Sequence, residues 1–228
     1  MREIVLDTET TGFDPQGGDR IVEIGAIELI GHVPTQNVFH EYIDPERAMP
    51  QEAFEVHGLG DDFLRGKPKF AQIGQKFRDF VGDAKLVIHN AAFDMKFLNA
   101  ELTWMGLPTL PYDQAIDTLE IARRRFPGSP ASLDALCRRF GIDNSARTLH
   151  GALLDSEILA EVYLELIGGR QPDFGLSTAS AASTSATSDT AWAPHARPTP
   201  LAPRITEEER AAHAAFVAKL GDDALWPQ

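Results

Sequence analysis

A sharp change of composition limits how much of this chain can build a packed core. From Ser177 to Thr190, 13 of the 14 residues are Ser, Thr or Ala, and a Pro-rich stretch continues to Pro203. Such a segment buries too little apolar surface to offset the conformational entropy lost on ordering. We therefore predict a folded domain over residues 1–170, a flexible linker over 171–204 and a tail over 205–228.

Strand-like and helical patterns alternate along the first 170 residues. Strand-like runs cover Glu3–Thr8, Arg20–Ile30, Val38–Ile43, Lys85–His89 and Ala115–Thr118. Apolar residues at helical spacing indicate helices near 70–81, 93–105, 133–140 and 154–166. Short links between the first three strands favour an antiparallel meander, and the later alternation favours crossovers onto the same sheet. The expected fold class is α/β, with a mixed five-stranded sheet flanked by helices.

The tail carries the signals of a short helix after the linker. Thr206 and Glu209 have the spacing of a capping box, and the acidic run Glu207–Glu209 suits the positive end of a helix. Phe216, Val217 and Leu220 can form one apolar side of it, and Leu225-Trp226 follows as a large apolar anchor. We expect this segment to bind a partner, although a disordered end with incidental helical propensity would have the same composition.

The N-terminus and the cysteine content bear on the compartment. The chain enters a strand-like run at once, without the pattern of a secretory signal, and no segment approaches the roughly 20 apolar residues of a membrane span. The single cysteine, Cys137, falls among apolar residues of a predicted helix, so we expect it to pack in the core. These features indicate a cytoplasmic protein that does not associate with a membrane.

Four acidic residues occupy positions where an unpaired charge would be costly. Asp7 and Glu9 lie two apart at the end of an apolar strand, so both side chains leave the same face of the sheet. Asp94 comes in the first turn of the helix after a buried strand, and Asp155 shares a helix face with core residues. Taken singly, the pair could be a solvated strand end and Asp94 a favourable charge near the helix dipole. A bound divalent cation would explain all four together.

His150 completes this set from outside the helix that carries Asp155. Five residues separate the two, which places them on different helix faces, so His150 must reach the site from the preceding loop, aided by Gly151. Carboxylates and one imidazole without cysteine select two divalent metal ions, Mg²⁺ or Mn²⁺, over structural zinc. Two such ions about 4 Å apart support phosphodiester hydrolysis. An imidazole with a pKa near 6.5 suits the general base for the attacking water.

Three motifs around these residues resemble those of a known enzyme family. They are Asp7-Thr8-Glu9-Thr10-Thr11-Gly12, His89-Asn90-Ala91-Ala92-Phe93-Asp94 and His150-Gly151-Ala152-Leu153-Leu154-Asp155. They look like the motifs of the DEDDh 3′→5′ exonucleases, named for four acids and a histidine. Over residues 1–170 the resemblance is greatest to the epsilon proofreading subunits of bacterial DNA polymerase III. It implies a ribonuclease H-like fold and the release of nucleoside monophosphates from DNA 3′ ends.

The same resemblance implies roles for individual residues. Asp7, Glu9, Asp94 and Asp155 would hold two metal ions, and His150 would be the general base. Residues at positions that surround the terminal nucleotide in the family are Thr10, Val56, His57, Asn90 and Phe93. Alternatives remain open, because Val56 and Phe93 could belong to the core alone and both His57 and His89 could be ordinary hydrogen-bonded histidines. For Arg123-Arg124-Arg125, we expect a solvated helix face rather than a phosphate contact.

Partners follow from the resemblance and from the charge. Gln171-Pro172-Asp173-Phe174-Gly175-Leu176 has the Gln-x-x-apolar-x-apolar form of a sliding-clamp peptide and resembles the clamp-binding segment of these subunits. Residues 205–228 would bind the polymerase catalytic subunit. A net charge of −13 opposes DNA binding through a basic surface, so cations in the site and a partner that holds DNA must offset it. Rival interpretations are a stand-alone exonuclease acting on DNA or RNA and a non-catalytic adaptor that uses the tail.

Overall fold

The computed structural model describes residues 1–145, 147, 149–169 and 205–220, without the side chain of Leu220. The chain divides into two units, Met1–Leu176 and Ser177–Gln228. The strands are β1 (Arg2–Thr10), β2 (Ile21–Ile30), β3 (Val33–Tyr42), β4 (Lys85–Ile88) and β5 (Ala115–Asp117). The helices are α1 (Gln51–His57), α2 (Asp61–Leu64), α3 (Phe70–Val81), α4 (Ala91–Trp104), α5 (Thr118–Arg125), α6 (Leu133–Phe140), α7 (Ala152–Leu166) and α8 (Glu207–Leu220).

The five strands form one mixed sheet in the order β3-β2-β1-β4-β5. The first three strands pair antiparallel as a meander, whereas β4 and β5 join the other edge in parallel. The mixed five-stranded sheet flanked by helices is therefore confirmed. The register of β1 against β2 shifts between Glu9 and Thr10, a local irregularity of the kind that redirects side chains near active sites.

The side chains of β1 alternate between two hydrophobic clusters. Ile4 and Leu6 pack in the larger cluster, which includes the phenylalanines of α3 and α4, Phe70, Phe77 and Phe97. Val5 packs on the other face with residues of α7 such as Leu159 and Tyr163. By the same alternation Asp7 and Glu9 belong to the α7 face of the sheet. Cys137 is buried beside α7, as expected for a core thiol.

Two parts of the domain depart from the sequence-based prediction. Strand β3 begins at Val33 instead of Val38. Its first half could not be predicted from the sequence pattern, because it is largely exposed, contains Pro34 and lacks alternation. Edge strands tolerate proline in this way. Helices α1 and α2 are too short, and α1 too exposed, to show a helical apolar stripe. The domain therefore contains two short helices that its hydrophobic periodicity does not indicate.

The tail contains the predicted short helix, α8. The Thr206 hydroxyl accepts a hydrogen bond from the Glu209 amide, and the Glu209 carboxylate accepts one from the Thr206 amide, at 3.2 and 2.8 Å. The capping box is thus formed as predicted, while Phe216 is exposed. The linker, the hexapeptide at 171–176 and Leu225-Trp226 lie outside the described residues. Among the described residues, no helix has the length and apolar content needed to cross a membrane.

Candidate active site

The start of α7 is fixed directly on the sheet beside Asp7 and Glu9. The Ala152 amide donates to the carboxylate of Glu23 on β2 at 3.2 Å, and the Ser156 hydroxyl donates to the Gly25 carbonyl at 2.9 Å. Gly25 is the pairing partner of Asp7, and Glu23 is that of Glu9. These contacts hold Asp155, in the first turn of α7, over the end of β1.

Asp94 reaches the same place from the first turn of α4. The helix begins after Asn90, whose backbone is left-handed at φ 66°, and the Asp117 carboxylate accepts hydrogen bonds from the Asn90 and Ala91 amides at 3.1 and 3.2 Å. Asp94 is buried and accepts a hydrogen bond from the Thr8 hydroxyl at 2.7 Å. Asp117 therefore positions the start of α4, while Thr8 positions the carboxylate itself.

One cavity of about 590 Å³ brings together every residue of the predicted catalytic set. Its walls come from the end of β1, the start of α4, α5, α6 and the loop before α7. The lining residues with ionisable side chains are Asp7, Glu9, His89, Asp94, Arg123, Asp134, Arg147, His150 and Asp155. Asn90 and Phe93 line the same cavity.

Three of the four acids resist ionisation in this cavity. Burial, followed by repulsion from Asp94, Glu9 and Asp155, raises the pKa of Asp7 well above its ordinary range. Burial and repulsion from Asp155 raise the pKa of Glu9 to about 8. Burial raises the pKa of Asp94 to about 7, although the Thr8 hydrogen bond opposes the shift. The cluster is thus short of positive charge, which a divalent cation supplies.

Asp155 differs from the other three acids because a cation already contacts it. Burial alone would raise its pKa, but the neighbouring His150 and the hydrogen bonds from Arg147 bring the pKa below its ordinary value. Arg147 donates from Nε to Oδ1 at 2.5 Å and from Nη2 to Oδ2 at 2.8 Å. The role of Arg147 could not be predicted from the sequence, because a loop arginine has no periodicity to indicate what it contacts. Its only signal is its place three residues before His150.

His150 lies in the loop before α7, as expected, with about half of its side chain exposed. Its backbone amide donates to the Val56 carbonyl at 3.1 Å, and its Nδ1 lies 3.4 Å from an oxygen of Asp155. Gly151 has an extended backbone, and a Cβ there would meet no atom within 4 Å. The backbone conformation at this position therefore does not require a glycine.

The donor set fits hard divalent cations. Ligand atoms of Glu9, His150 and Asp155 all lie within 4.8 Å of one another. Asp94 lies close enough to raise the pKa values of both Asp7 and Glu9. Carboxylate oxygens are the preferred ligands of Mg²⁺ and Mn²⁺, and the described residues place no cysteine in the cavity. The arrangement can therefore bind divalent cations at a place where they would contact a phosphate group.

A second cavity of about 460 Å³ adjoins the first and shares Thr8, Glu9 and Phe93 with it. Thr10, Val56 and His57 line it as well. Val56 is 46% exposed, so it is not a residue of the core alone. The Phe93 ring makes a T-shaped contact with Phe13 and a tilted contact with Phe97, with ring centroids 6.3 and 5.1 Å apart. Phe13, 78% exposed on the rim, was missed because a single aromatic in a loop carries no pattern.

The histidines and arginines with open alternatives have distinct surroundings. His57 is buried, its Nδ1 accepts from the Leu59 amide at 3.0 Å, and burial lowers its pKa. His89 contacts the Thr118 hydroxyl at 2.9 Å. Of the arginine run, Arg125 donates to carbonyls at the end of α7 and Arg124 pairs with Glu120. All three arginines are exposed, as expected for a solvated helix face, and Arg123 also lines the acidic cavity.

Comparisons with known proteins agree with this geometry. A family model described as Exonuclease matches residues 4–163. The DNA polymerase III subunit epsilon of Rickettsia felis is 56% identical over 177 residues, covering 76% of this chain and 77% of that protein. The subunit epsilon of Escherichia coli (strain K12) is 45% identical over 240 residues, covering 99% of this chain and 97% of that protein.

Solved structures share the fold. Exonuclease X in complex with 5′ overhanging duplex DNA is 26% identical, with a TM-score of 0.57, and the match covers 72% of this chain and 90% of that one. The nuclease domain of 3′hExo, a DEDDh family member bound to rAMP, matches with a TM-score of 0.63 at 21% identity, covering 73% of this chain and 91% of that one. The chain therefore belongs to the exonuclease family and, within it, to the epsilon subunits of DNA polymerase III.

Proposed function

We propose that this chain is the proofreading 3′→5′ exonuclease subunit of a bacterial replicative DNA polymerase. It hydrolyses the terminal phosphodiester bond at a DNA 3′ end and releases a nucleoside monophosphate. The observation that carries the proposal is the convergence of Asp7, Glu9, Asp94, Asp155 and His150 in one cavity. The epsilon subunits among its relatives and the DNA complex of Exonuclease X support DNA as the substrate.

The carboxylates have the task of holding positive charge against the scissile phosphate. Asp7, Glu9, Asp94 and Asp155 would bind two divalent ions, Mg²⁺ or Mn²⁺, which supply charge stabilisation and a more acidic water. The raised pKa values of Asp7, Glu9 and Asp94 support this assignment, because a bound cation would favour the ionised form of these buried, mutually repelling acids. Thr8 and Asp117 keep Asp94 in place through hydrogen bonds that involve no substrate.

His150 is suited to take a proton from the attacking water. Its ring is half exposed to the cavity and lies beside Asp155, while its backbone is held by Val56. An imidazole is a good general base near neutral pH. The proton leaves the water as its oxygen bonds to phosphorus, and the 3′ oxygen of the shortened strand departs with the electron pair of the broken bond.

The adjoining cavity would hold the terminal nucleotide. Thr10, Val56, His57 and Phe93 surround it, and Asn90 stands at the acidic side. An aromatic face such as that of Phe93 stacks on any base, which suits an enzyme that removes nucleotides irrespective of sequence. Arg123 also lines the acidic cavity, and its positive charge would attract a phosphate of the strand.

The segments beyond the nuclease domain would attach it to its partners. We infer that residues 205–228 bind the polymerase catalytic subunit, that 171–204 act as a flexible linker, and that Gln171–Leu176 bind the sliding clamp. The capped helix α8 with exposed Phe216 supports the first assignment. A tether of this kind raises the local concentration of the nuclease near the primer end without fixing its orientation.

A nuclease assay on matched oligonucleotides tests the catalytic part of the proposal. The full chain should shorten 5′-labelled single-stranded DNA stepwise from its 3′ end with Mg²⁺ or Mn²⁺, and EDTA should stop it. An RNA strand of the same sequence should be cut more slowly. Equal cutting of RNA would favour a stand-alone exonuclease, and no cutting of either strand would favour a non-catalytic adaptor.

Binding assays test the tether separately. A chain ending at Gly169 should retain exonuclease activity on short single strands but should no longer co-purify with the polymerase subunit, whereas a peptide of residues 201–228 should bind it. Replacing Gln171, Phe174 and Leu176 with alanine should weaken clamp binding. Polymerase binding that survives truncation would rule out the tail as the tether, and unchanged clamp affinity would rule out the hexapeptide.

A further inference from the structure

Arg147 connects three acidic-cavity residues that belong to different elements. Its guanidinium donates two hydrogen bonds to Asp155, one to Asp134 on α6 at 2.9 Å, and one to Nδ1 of His150 at 2.8 Å. Its side chain is only 9% exposed. The three exonuclease motifs do not contain Arg147, so their chemistry leaves its purpose unexplained.

The contacts with Asp155 involve both carboxylate oxygens. This fork-shaped pairing is the geometry in which a guanidinium neutralises a carboxylate most effectively. A divalent cation ligated by Asp155 needs the same oxygens at about 2.0–2.6 Å, and it repels a guanidinium held against them. Arg147 and the cation therefore compete for the carboxylate oxygens of Asp155.

The contact with His150 adds a second consequence. Because a guanidinium only donates, Nδ1 of His150 accepts the hydrogen bond from Arg147. The imidazole is thereby held toward Asp155, whose nearer oxygen is 3.4 Å from the same nitrogen. One side chain thus sets the position of both the acid and the histidine.

We propose that Arg147 is an internal cation that competes with the divalent metal for Asp155. It neutralises Asp155 and orients His150 while the site lacks its metal, and it gives up the Asp155 oxygens when the metal binds, keeping its hold on Asp134. Arg147 is a positioning residue, since its contacts are with protein side chains. This inference rests on the proposed function, because it requires a metal ion at Asp155.

Arg123 offers a matched control for the effect of charge alone. It lines the same cavity, but among the described residues it makes no hydrogen bond or ion pair with a carboxylate. Arg123→Gln and Arg147→Gln remove the same charge from the same cavity. A difference between them therefore reports the direct contact with Asp155.

The experiment is Mn²⁺ binding by isothermal titration calorimetry on the full chain and the two variants. Competition predicts that Arg147→Gln binds Mn²⁺ about fivefold more tightly or better, the lower end of typical couplings between linked sites. Arg123→Gln should stay within about twofold of the parent, since its charge is not in contact with a ligand. Equal or weaker Mn²⁺ binding by Arg147→Gln than by Arg123→Gln would overturn the proposal.

Thermal unfolding gives a second readout that does not depend on activity. Without metal, Arg147→Gln should unfold at a lower temperature than the parent, because Asp155 loses its partner, and Mn²⁺ should stabilise it by more degrees than the parent. Arg147→Lys keeps the positive charge but cannot make the two parallel hydrogen bonds to Asp155, so it should bind Mn²⁺ with intermediate affinity. This variant replaces Arg147→Gln in the experiment if the glutamine variant does not fold. A parent that neither binds Mn²⁺ nor cleaves DNA would instead refute the proposed function itself.

Discussion

Gly25 on β2 lies directly under the first turn of α7, against the backbone of Ala152. A Cβ on Gly25 would stand 2.2 Å from the Ala152 carbonyl carbon and from the Leu153 nitrogen. Backbone atoms cannot swing aside as a flexible side chain can, so any side chain here must push the helix away from the sheet. Because α7 carries Asp155, the absence of a side chain at Gly25 sets the distance between Asp155 and the acids of β1.

Gly25→Ala is therefore expected to damage stability and activity together. Overpacking of this kind costs about 1–3 kcal/mol, and a displacement of about 1 Å at a reacting centre can cost about 10²-fold in rate. Urea unfolding and nuclease kinetics on the same preparation measure both effects.

Gly151→Ala is the matched control for this prediction. Its backbone is extended, and an added Cβ meets no atom within 4 Å, so it should cost no more than about 1 kcal/mol as a poorer helix cap. If Gly25→Ala is as stable and as active as Gly151→Ala, then α7 is not held at the distance described.

Asp7→Ala and Asp155→Ala should both remove nearly all nuclease activity but should shift metal-free stability in opposite directions. The ionised Asp7 carboxylate is destabilised first by burial and then by repulsion from its neighbours, so its removal should raise the melting temperature in EDTA by about 2–4 °C for each kcal/mol relieved. Asp155 is paired with Arg147, and breaking a buried pair by removing one partner costs about 3–5 kcal/mol. Calorimetry in EDTA would contradict this account if the two shifts had the same sign.

The raised pKa values predict how metal-free stability changes with pH. Glu9 moves from its ordinary value of 4.5 to about 8, and Asp94 from 3.8 to about 7, so the folded state binds more protons than the unfolded state between these limits. Stability in EDTA should therefore fall as pH rises from about 4.5 to 8. The lowered pKa of Asp155 acts below 3.8, outside this window. The lowered pKa values of His57 and His89 oppose the decline below about pH 6.5, so the fall should be steepest between about 6.5 and 8.

Thermal unfolding at several pH values tests this dependence. Mn²⁺ should flatten the decline, because a bound cation favours the ionised carboxylates, and Glu9→Gln should remove part of it. Metal-free stability that rises between pH 6.5 and 8 would mean that the pKa values of Asp7, Glu9 and Asp94 are not raised as described.

His150→Gln should separate the general-base role from a ligand role. The imidazole and the carboxylates of Glu9 and Asp155 have donor atoms within 4.8 Å, so metal ligation by His150 is the rival assignment. As a base, His150 should account for about 10²-fold in turnover with little change in Mn²⁺ affinity. A loss that appears mainly in Mn²⁺ affinity would make His150 a ligand.

The parts of the site that could be predicted from sequence are those with local periodicity. Alternation along β1 places Asp7 and Glu9 on one face, and helical spacing turns Asp155 toward the core, so both predictions needed only neighbouring residues. The capping box of α8 is local in the same sense. The resemblance to the DEDDh exonuclease motifs then indicated that Asp7, Glu9, Asp94 and Asp155 act together in one site.

The contacts that could not be predicted depend on how distant elements pack. Arg147 contacts Asp134 and Asp155 from a loop without a pattern, and Asp117 on β5 positions the start of α4 across the sheet. The orientation of Arg123 toward the cavity depends on how α5 lies against its neighbours. Periodicity does not report such relationships, because they arise only after the chain has folded.

Hydrolysis in water enriched with ¹⁸O tests most directly whether the acidic cavity is a metal-dependent 3′→5′ exonuclease site. The full chain should release 5′-mononucleotides from the DNA 3′ end, each with one ¹⁸O on its phosphate, while the shortened strand keeps an unlabelled 3′ hydroxyl. Mass spectrometry of the products with Mg²⁺ measures this, with EDTA and the Asp7→Ala variant as controls. Internal fragments, products with 3′ phosphates, or the release of ¹⁸O-labelled mononucleotides in the presence of EDTA would contradict the assignment.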